Sequence, residues 1–162
     1  MKKTLTLLLL VISVQAIAQT YPITSITISL PSNPDALLAN NALLSEADAM
    51  KAINFRWTPV VPKPHEPVTY RIKVWQLMQG QNGAQAMKAN QPIFTKDVDN
   101  ITQVVINKLV TGPCLPPYLC SFIWNVQALS KEGKPIGINN GTSANASFSV
   151  KQDLTKEPAK NR

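Results

Sequence analysis

Histidine is almost absent from this 162-residue sequence, because His65 is the only one. A single histidine argues against a multi-histidine metal site and against a serine–histidine relay built by this chain alone. The sequence also shows no nucleophile–base pair of the kind that a small hydrolase would need. It therefore predicts a protein that is not an enzyme and that carries neither a metal nor a cofactor.

Charge and glycine are also scarce. Charged residues make up 15% of the chain, aromatic residues 6%, and glycine occurs six times. The basic residues are scattered, whereas nucleic-acid binding favours a basic stripe interleaved with aromatic residues, and no glycine-rich phosphate loop accompanies them. This pattern predicts no nucleic-acid partner. Thirteen prolines argue against a long helical bundle, while 44% hydrophobic residues are enough for one core.

The N-terminus has the three parts of a bacterial secretory leader. Met1-Lys2-Lys3 is a short positive region, Leu5 to Val14 is mostly aliphatic, and Ala16-Ile17-Ala18 has small residues at the spacing of a cleavage site. The apolar run is shorter than the roughly 20 residues that span a bilayer. We expect a signal peptide over residues 1–18, cleaved between Ala18 and Gln19, and no integral membrane segment afterwards. Loss of Lys2 and Lys3 lowers the formal net charge of +7 by two, to +5.

The two cysteines, Cys114 and Cys120, lie close together in a proline-rich segment. In an exported protein, such an even and closely spaced pair indicates one disulfide that closes a small loop. A redox motif would have two intervening residues, and this pair has five. A zinc site would need two further ligands, which the sequence does not offer.

Apolar and polar residues alternate along most of the remaining chain, which is typical of half-buried strands. The alternating segments are short and are separated by turn signals such as Glu132-Gly133-Lys134-Pro135 and Asn139-Asn140-Gly141. This arrangement predicts an all-β, two-sheet antiparallel sandwich of about seven strands. The predicted strands are Ile26–Leu30, Ile53–Trp57, Val68–Val74, Ile93–Val98, Ile101–Leu109, Phe122–Ala128 and Ala146–Val150.

Two short helical insertions are expected between these strands. The first lies between Pro34 and Met50, where Asn33-Pro34 and Ser45-x-x-Asp48 resemble helix starts. The second covers Gly83 to Asn90. The sandwich is expected to occupy residues 19–151, followed by a flexible polar tail over residues 152–162.

Three stretches give the chain a family resemblance: Phe55–Val60, Val68–Val74 and Phe122–Leu129. They resemble the fibronectin type III-like domains of exported surface and envelope proteins of the Bacteroidetes group, over roughly Ile23 to Lys151. The resemblance implies an immunoglobulin-like β-sandwich that spaces or binds other proteins, with no catalytic residues to carry over. One departure is Phe122, where the family usually has a tyrosine whose hydroxyl bonds back to the preceding loop.

The aromatic residues supply the candidate binding positions. Trp57 and Trp124 are in phase with apolar neighbours, so we expect them in the core. Trp75 is out of phase: it is either covered by the excursion of residues 80–91 or exposed as a binding patch. Tyr118 and Leu115 lie on the predicted disulfide loop, where they either anchor a partner or pack locally.

Four ionisable residues have a less specific interpretation. His65 and Glu66 are expected to be solvated loop residues, and so are Asp97 and Asp99. The two aspartates are too close in sequence to be the opposed carboxylates of a glycosidase. Two carboxylates are also a thin ligand set for calcium.

The sequence thus predicts a non-catalytic, exported protein-binding or spacer module at the bacterial cell envelope, in the periplasm or on the outer surface. Its partner would be an envelope or surface protein. The alternative is an accessory carbohydrate-binding sandwich of a polysaccharide-utilisation system. That alternative requires a row of exposed aromatic residues, for which Trp75 and Tyr118 are the candidates.

Overall fold

The computed structural model describes residues 23, 25–30, 33–38, 40–109 and 120–151. Within these residues the chain is mostly β-strand, with two short α-helices and one turn of 3-10 helix at Asn139–Gly141. The elements in chain order are β1 (Ile26–Leu30), β2 (Asn33–Leu38), β3 (Ala42–Ser45), α1 (Glu46–Ala49), β4 (Ala52–Trp57), β5 (Thr69–Leu77), α2 (Gly83–Ala89), β6 (Phe94–Asp99), β7 (Gln103–Asn107), β8 (Cys120–Leu129) and β9 (Ala146–Lys151).

The strands form two sheets. One has four strands in the order β2-β1-β4-β7, and the other has five in the order β3-β9-β8-β5-β6. All neighbouring pairs are antiparallel except β3 and β9, which run parallel. The two sheets contribute alternate residues to one hydrophobic core, so the fold is a β-sandwich.

Aromatic residues from both sheets meet at the centre of this core. Phe55 of β4 packs edge-on against Trp124 of β8, with ring centroids 4.9 Å apart. Phe122 and Phe148 stack at 4.9 Å on neighbouring strands. Phe122 is therefore a core residue. Trp57 and Trp124 are both buried, as their phase in the sequence predicts.

All seven predicted strands are present, with bounds that differ by a few residues. The prediction for the segment between Pro34 and Met50 is wrong for most of its length. It forms β2 and β3, and only Glu46–Ala49 is helical. The Asn33-Pro34 pair begins an edge strand rather than a helix, because a proline can occupy an edge strand without costing an inter-strand hydrogen bond. Ser45 does cap α1, accepting a hydrogen bond from the Asp48 amide at 3.1 Å.

The second helical prediction is confirmed as α2, Gly83–Ala89. A reciprocal capping box begins the helix. The Asn82 side chain accepts from the Gln85 amide at 2.9 Å, and the Gln85 side chain accepts from the Asn82 amide at 2.8 Å. Asn90 ends the helix and donates from its side chain to the carbonyl of Gln76 at 2.9 Å, which ties α2 to β5.

Several predictions lie outside the described residues: the leader with its Ala18–Gln19 cleavage point, the Cys114 end of the disulfide, and the tail over 152–162. They stay predictions. Cys120 itself begins β8 and is buried. In the described part of the chain, none of the helices has the length and apolar character needed to cross a membrane.

Candidate functional site

A cleft of about 840 Å³ opens at the end of the sandwich where β4 stops and β5 starts. Its wall is the connecting segment, residues 59–68, together with Tyr70 of β5 and with Asn100 and Thr102 from the β6–β7 turn. Concave sites of roughly 300–1,000 Å³ are typical of ligand and side-chain binding in proteins. The cleft is therefore the candidate binding site in the described part of the molecule.

Two hydrogen bonds hold the first and last parts of the 59–68 segment. The Tyr70 hydroxyl accepts from the Val60 amide at 3.1 Å inside the protein. At the other end, the Val68 amide donates to the Asn100 side chain at 3.0 Å, and the Asn100 amide donates to the Val68 carbonyl at 2.9 Å. Asn100 has a φ of 54°, in the left-handed region that asparagine tolerates better than most residues. The segment is thus fixed to β5 through Tyr70 and to the β6–β7 turn through Asn100.

Proline stiffens the same segment. Pro59, Pro62, Pro64 and Pro67 fall within nine residues, and each restricts its own φ to near −65°. A loop restricted in this way loses less conformational entropy when a partner immobilises it. The anchors and the prolines together give a cleft that is formed before anything binds.

The cleft combines an apolar wall with a polar rim. Val60, Val68 and Tyr70 are buried, whereas Val61 is 56% exposed and presents an apolar side chain at the opening. Lys63, His65 and Glu66 line the cleft and are exposed, so its rim carries a cation, an imidazole and a carboxylate. Such a site can hold an apolar side chain of a partner and hydrogen-bond the backbone around it.

The sequence predicts His65 and Glu66 only as solvated loop residues, but both also belong to the candidate site. The structure places both on the rim of the cleft. The sequence signal for this site is the density of prolines between β4 and β5. Where the cleft lies depends on Asn100, which is 32 residues away from its hydrogen-bond partner Val68.

Trp75 is covered rather than displayed. Its side chain is 7% exposed, on the face of the five-stranded sheet opposite the core. Ile123 lies opposite it on β8, and α2 packs against β5 and β8 through Gly83 and the buried Ala86. The structure thus agrees with one of the two alternatives for Trp75, in which the segment of residues 80–91 covers its side chain. Trp75 therefore forms no exposed patch.

Tyr118 and Leu115, the other two predicted partner-binding residues, lie outside the described residues. Their role as anchors stays a prediction.

Asp97 and Asp99 form cross-strand contacts on the outer face of the five-stranded sheet. Arg71 donates two hydrogen bonds to Asp97, at 2.8 and 2.7 Å, and Thr69 donates to Asp99 at 2.6 Å. The hydrogen bonds from Arg71 lower the pKa of Asp97 below its ordinary value, with a further contribution from the positive charges of Arg71 and Lys73. Among the described residues, no group of three or more His, Cys, Asp and Glu side chains is placed to hold a metal ion.

Comparison with known proteins leaves the family open. No family model matches the chain, and no curated protein matches it. Among solved structures, the fold is similar to the PmoD soluble domain from Methylocystis sp. ATCC 49242 (Rockwell), with a TM-score of 0.41 and 14% identity over 78% of this chain and 89% of that one. It is also similar to the N-terminal domain of PorA, with a TM-score of 0.31 and 16% identity over 78% of this chain and 98% of that one. These likenesses are too distant to carry an argument about function.

Proposed function

We propose that this protein is a non-catalytic, exported module with a fibronectin type III-like fold, which binds another protein of the bacterial cell envelope through the cleft. The observation that carries the proposal is the double anchoring of the 59–68 segment, at Val60 by Tyr70 and at Val68 by Asn100. A preformed apolar cleft on rigid anchors lowers the entropic cost of binding.

The strand order supports the fibronectin type III-like part of the proposal. In immunoglobulin-like sandwiches the first, second and fifth strands share one sheet, and the third, sixth and seventh share the other. Here β1, β4 and β7 share one sheet, and β5, β8 and β9 share the other. The short β2 and β3 are additions between the first and second strands of that scheme.

A protein partner fits the described surface better than a polysaccharide does. Carbohydrate-binding faces use exposed aromatic rings, and Trp57, Tyr70, Trp75 and Trp124 are all buried. The large apolar side chains that are exposed among the described residues are instead non-aromatic, such as Val61 at the mouth of the cleft. We therefore favour protein binding over the carbohydrate alternative.

Capture from envelope fractions tests the proposal, with three forms of the protein as bait. The wild type is compared with Val61→Asp, which puts a carboxylate at the mouth of the cleft. The matched control is Ile138→Asp, which makes the same kind of change at an exposed residue of the β8–β9 connection that does not line the cleft. Both substitutions are at exposed positions, so neither is expected to disturb folding.

We expect one envelope protein to be retained by the wild type and by Ile138→Asp, and to be lost with Val61→Asp. Equal retention by all three forms would overturn the cleft as the binding site. Retention of soluble envelope polysaccharide in place of protein would favour the carbohydrate alternative.

A further inference from the structure

The free edge of β7 differs from the other sheet edges in the described part of the chain. β7 is the last strand of the four-stranded sheet and consists of Gln103, Val104, Val105, Ile106 and Asn107. It contains no charge and no proline. Edge strands are normally protected against pairing with another chain by charged residues or proline, by being very short, or by a charged side chain that points inward.

The other edges have that protection. β6 carries Lys96 opposite the core residue Ile72, which is a charge on the inward face of an edge strand. β3 has only four residues. β2 contains Pro34 and Asp35. Among the sheet edges of the described residues, that of β7 is therefore the one without such protection.

The backbone of β7 is oriented for such pairing. The Trp57 amide donates to the Thr102 carbonyl at 3.0 Å, and the Lys108 amide donates to the Lys51 carbonyl at 3.2 Å. Antiparallel partners alternate between residues that bond to a given neighbour and residues that face away from it. The even-numbered residues from 102 to 108 thus bond to β4 and to Lys51 just before it, and Gln103, Val105 and Asn107 direct their N–H and C=O groups to the free edge.

The sequence of β7 is nearly symmetric about Val105. When a second copy pairs antiparallel with Val105 opposite its own equivalent, Gln103 lies opposite Asn107 of that copy, and Val104 lies opposite Ile106. In this register the side-chain amides lie opposite each other, the aliphatic side chains lie opposite each other, and no two like charges are paired. Each of the pairs at 103, 105 and 107 exchanges two backbone hydrogen bonds in this register.

We propose that the protein forms a two-fold symmetric dimer through β7, so that the two four-stranded sheets become one continuous sheet. A two-fold interface uses the same surface on both copies, which is what a self-complementary strand provides. Val105 is 55% exposed and Ile101, two residues before the strand, is 50% exposed, so pairing also removes aliphatic surface from water.

The dimer places the binding clefts at opposite ends. Thr102 lines the cleft and immediately precedes β7. Since the paired strands run in opposite directions, each cleft lies beyond a different end of the joined strands. Formation of this dimer does not depend on whether the cleft binds a protein.

Sedimentation over about a hundredfold range of protein concentration is the test, because a dimer without covalent links dissociates on dilution. Two oppositely charged variants make the test specific to β7. One carries Gln103→Lys and Asn107→Lys, which places lysines opposite each other across the two-fold axis. The other carries Gln103→Glu and Asn107→Glu, which places glutamates opposite each other. The control carries Gln79→Lys and Ala84→Lys, which add the same positive charge at exposed positions away from β7.

We expect the wild type and the control to shift towards twice the monomer mass as concentration rises. Each β7 variant alone should stay monomeric, and an equal mixture of the two should regain the dimer, since lysine then faces glutamate. Circular dichroism confirms that the variants are folded. A wild type that is monomeric throughout, or β7 variants that dimerise singly as well as the wild type does, would overturn the proposal.

Discussion

The hydroxyl of Tyr70 accepts a hydrogen bond from the backbone amide of Val60 across 3.1 Å in the interior of the sandwich. The same Tyr70 ring packs against Trp57, with centroids 5.8 Å apart, and borders the cleft. One side chain thus links the hydrophobic core to the wall of the candidate binding site. The shape of the cleft is therefore coupled to core packing.

Replacement of Tyr70 by phenylalanine should cost stability, because it leaves the buried Val60 amide without a partner. The loss of such a bond costs about 1–3 kcal/mol. We expect urea unfolding to show this loss, and hydrogen exchange to show faster exchange at the Val60 amide than the global loss alone explains. If neither the urea midpoint nor the exchange rate of the Val60 amide changes, the Tyr70 hydroxyl does not anchor the 59–68 segment.

Ala86 tests the cover over Trp75. The substitution Ala86→Asp puts a carboxylate on the buried side of α2, so the helix should lift from the sheet while the main core stays intact. We expect a red shift of tryptophan emission and stronger iodide quenching in the folded protein. Ala84→Asp, on the exposed side of the same helix, should change neither. A similar response from both variants would contradict the assigned face of α2.

The Arg71–Asp97 pair predicts a small dependence of stability on pH. The folded protein holds the pKa of Asp97 below its ordinary value, so the stabilisation is present above the unfolded pKa of about 4 and is lost as the pH falls through the folded value. Because both side chains are partly exposed, the pair should contribute only about 0.2–1 kcal/mol. The difference in unfolding free energy between Asp97→Asn and the wild type should be present at pH 7 and vanish in acid. A difference that persists in acid would rule out the ion pair as its cause.

The predicted link between Cys114 and Cys120 can be examined by peptide mapping without reductant. An exported chain should give one peptide pair joined within a single molecule. The same material should begin at Gln19 by intact mass. Free thiols, a bridge between two chains or a retained Met1 in material from the envelope would each contradict the corresponding prediction.

Alternation in the sequence was sufficient to predict seven of the nine described strands, and it is most regular in β4 and β7, where every second residue is buried. It could not find β3, because four residues are too few to show a period, and Pro34 in β2 resembled a helix start. The phase of Trp75 was correctly assigned to the outer face, but its cover by α2 depends on packing between distant segments. The cleft was missed for the same reason, since Asn100 shapes it from another turn.

Photo-cross-linking in cells that make the protein is the most direct measurement of whether the cleft binds a protein. A photoreactive amino acid is placed at position 65, on the rim of the cleft, or at position 131, an exposed site in the β8–β9 connection that does not line it. If the cleft binds a protein, we expect a single cross-linked species of defined mass with the probe at 65 and none with the probe at 131. No cross-link from position 65, or the same species from both positions, would contradict it.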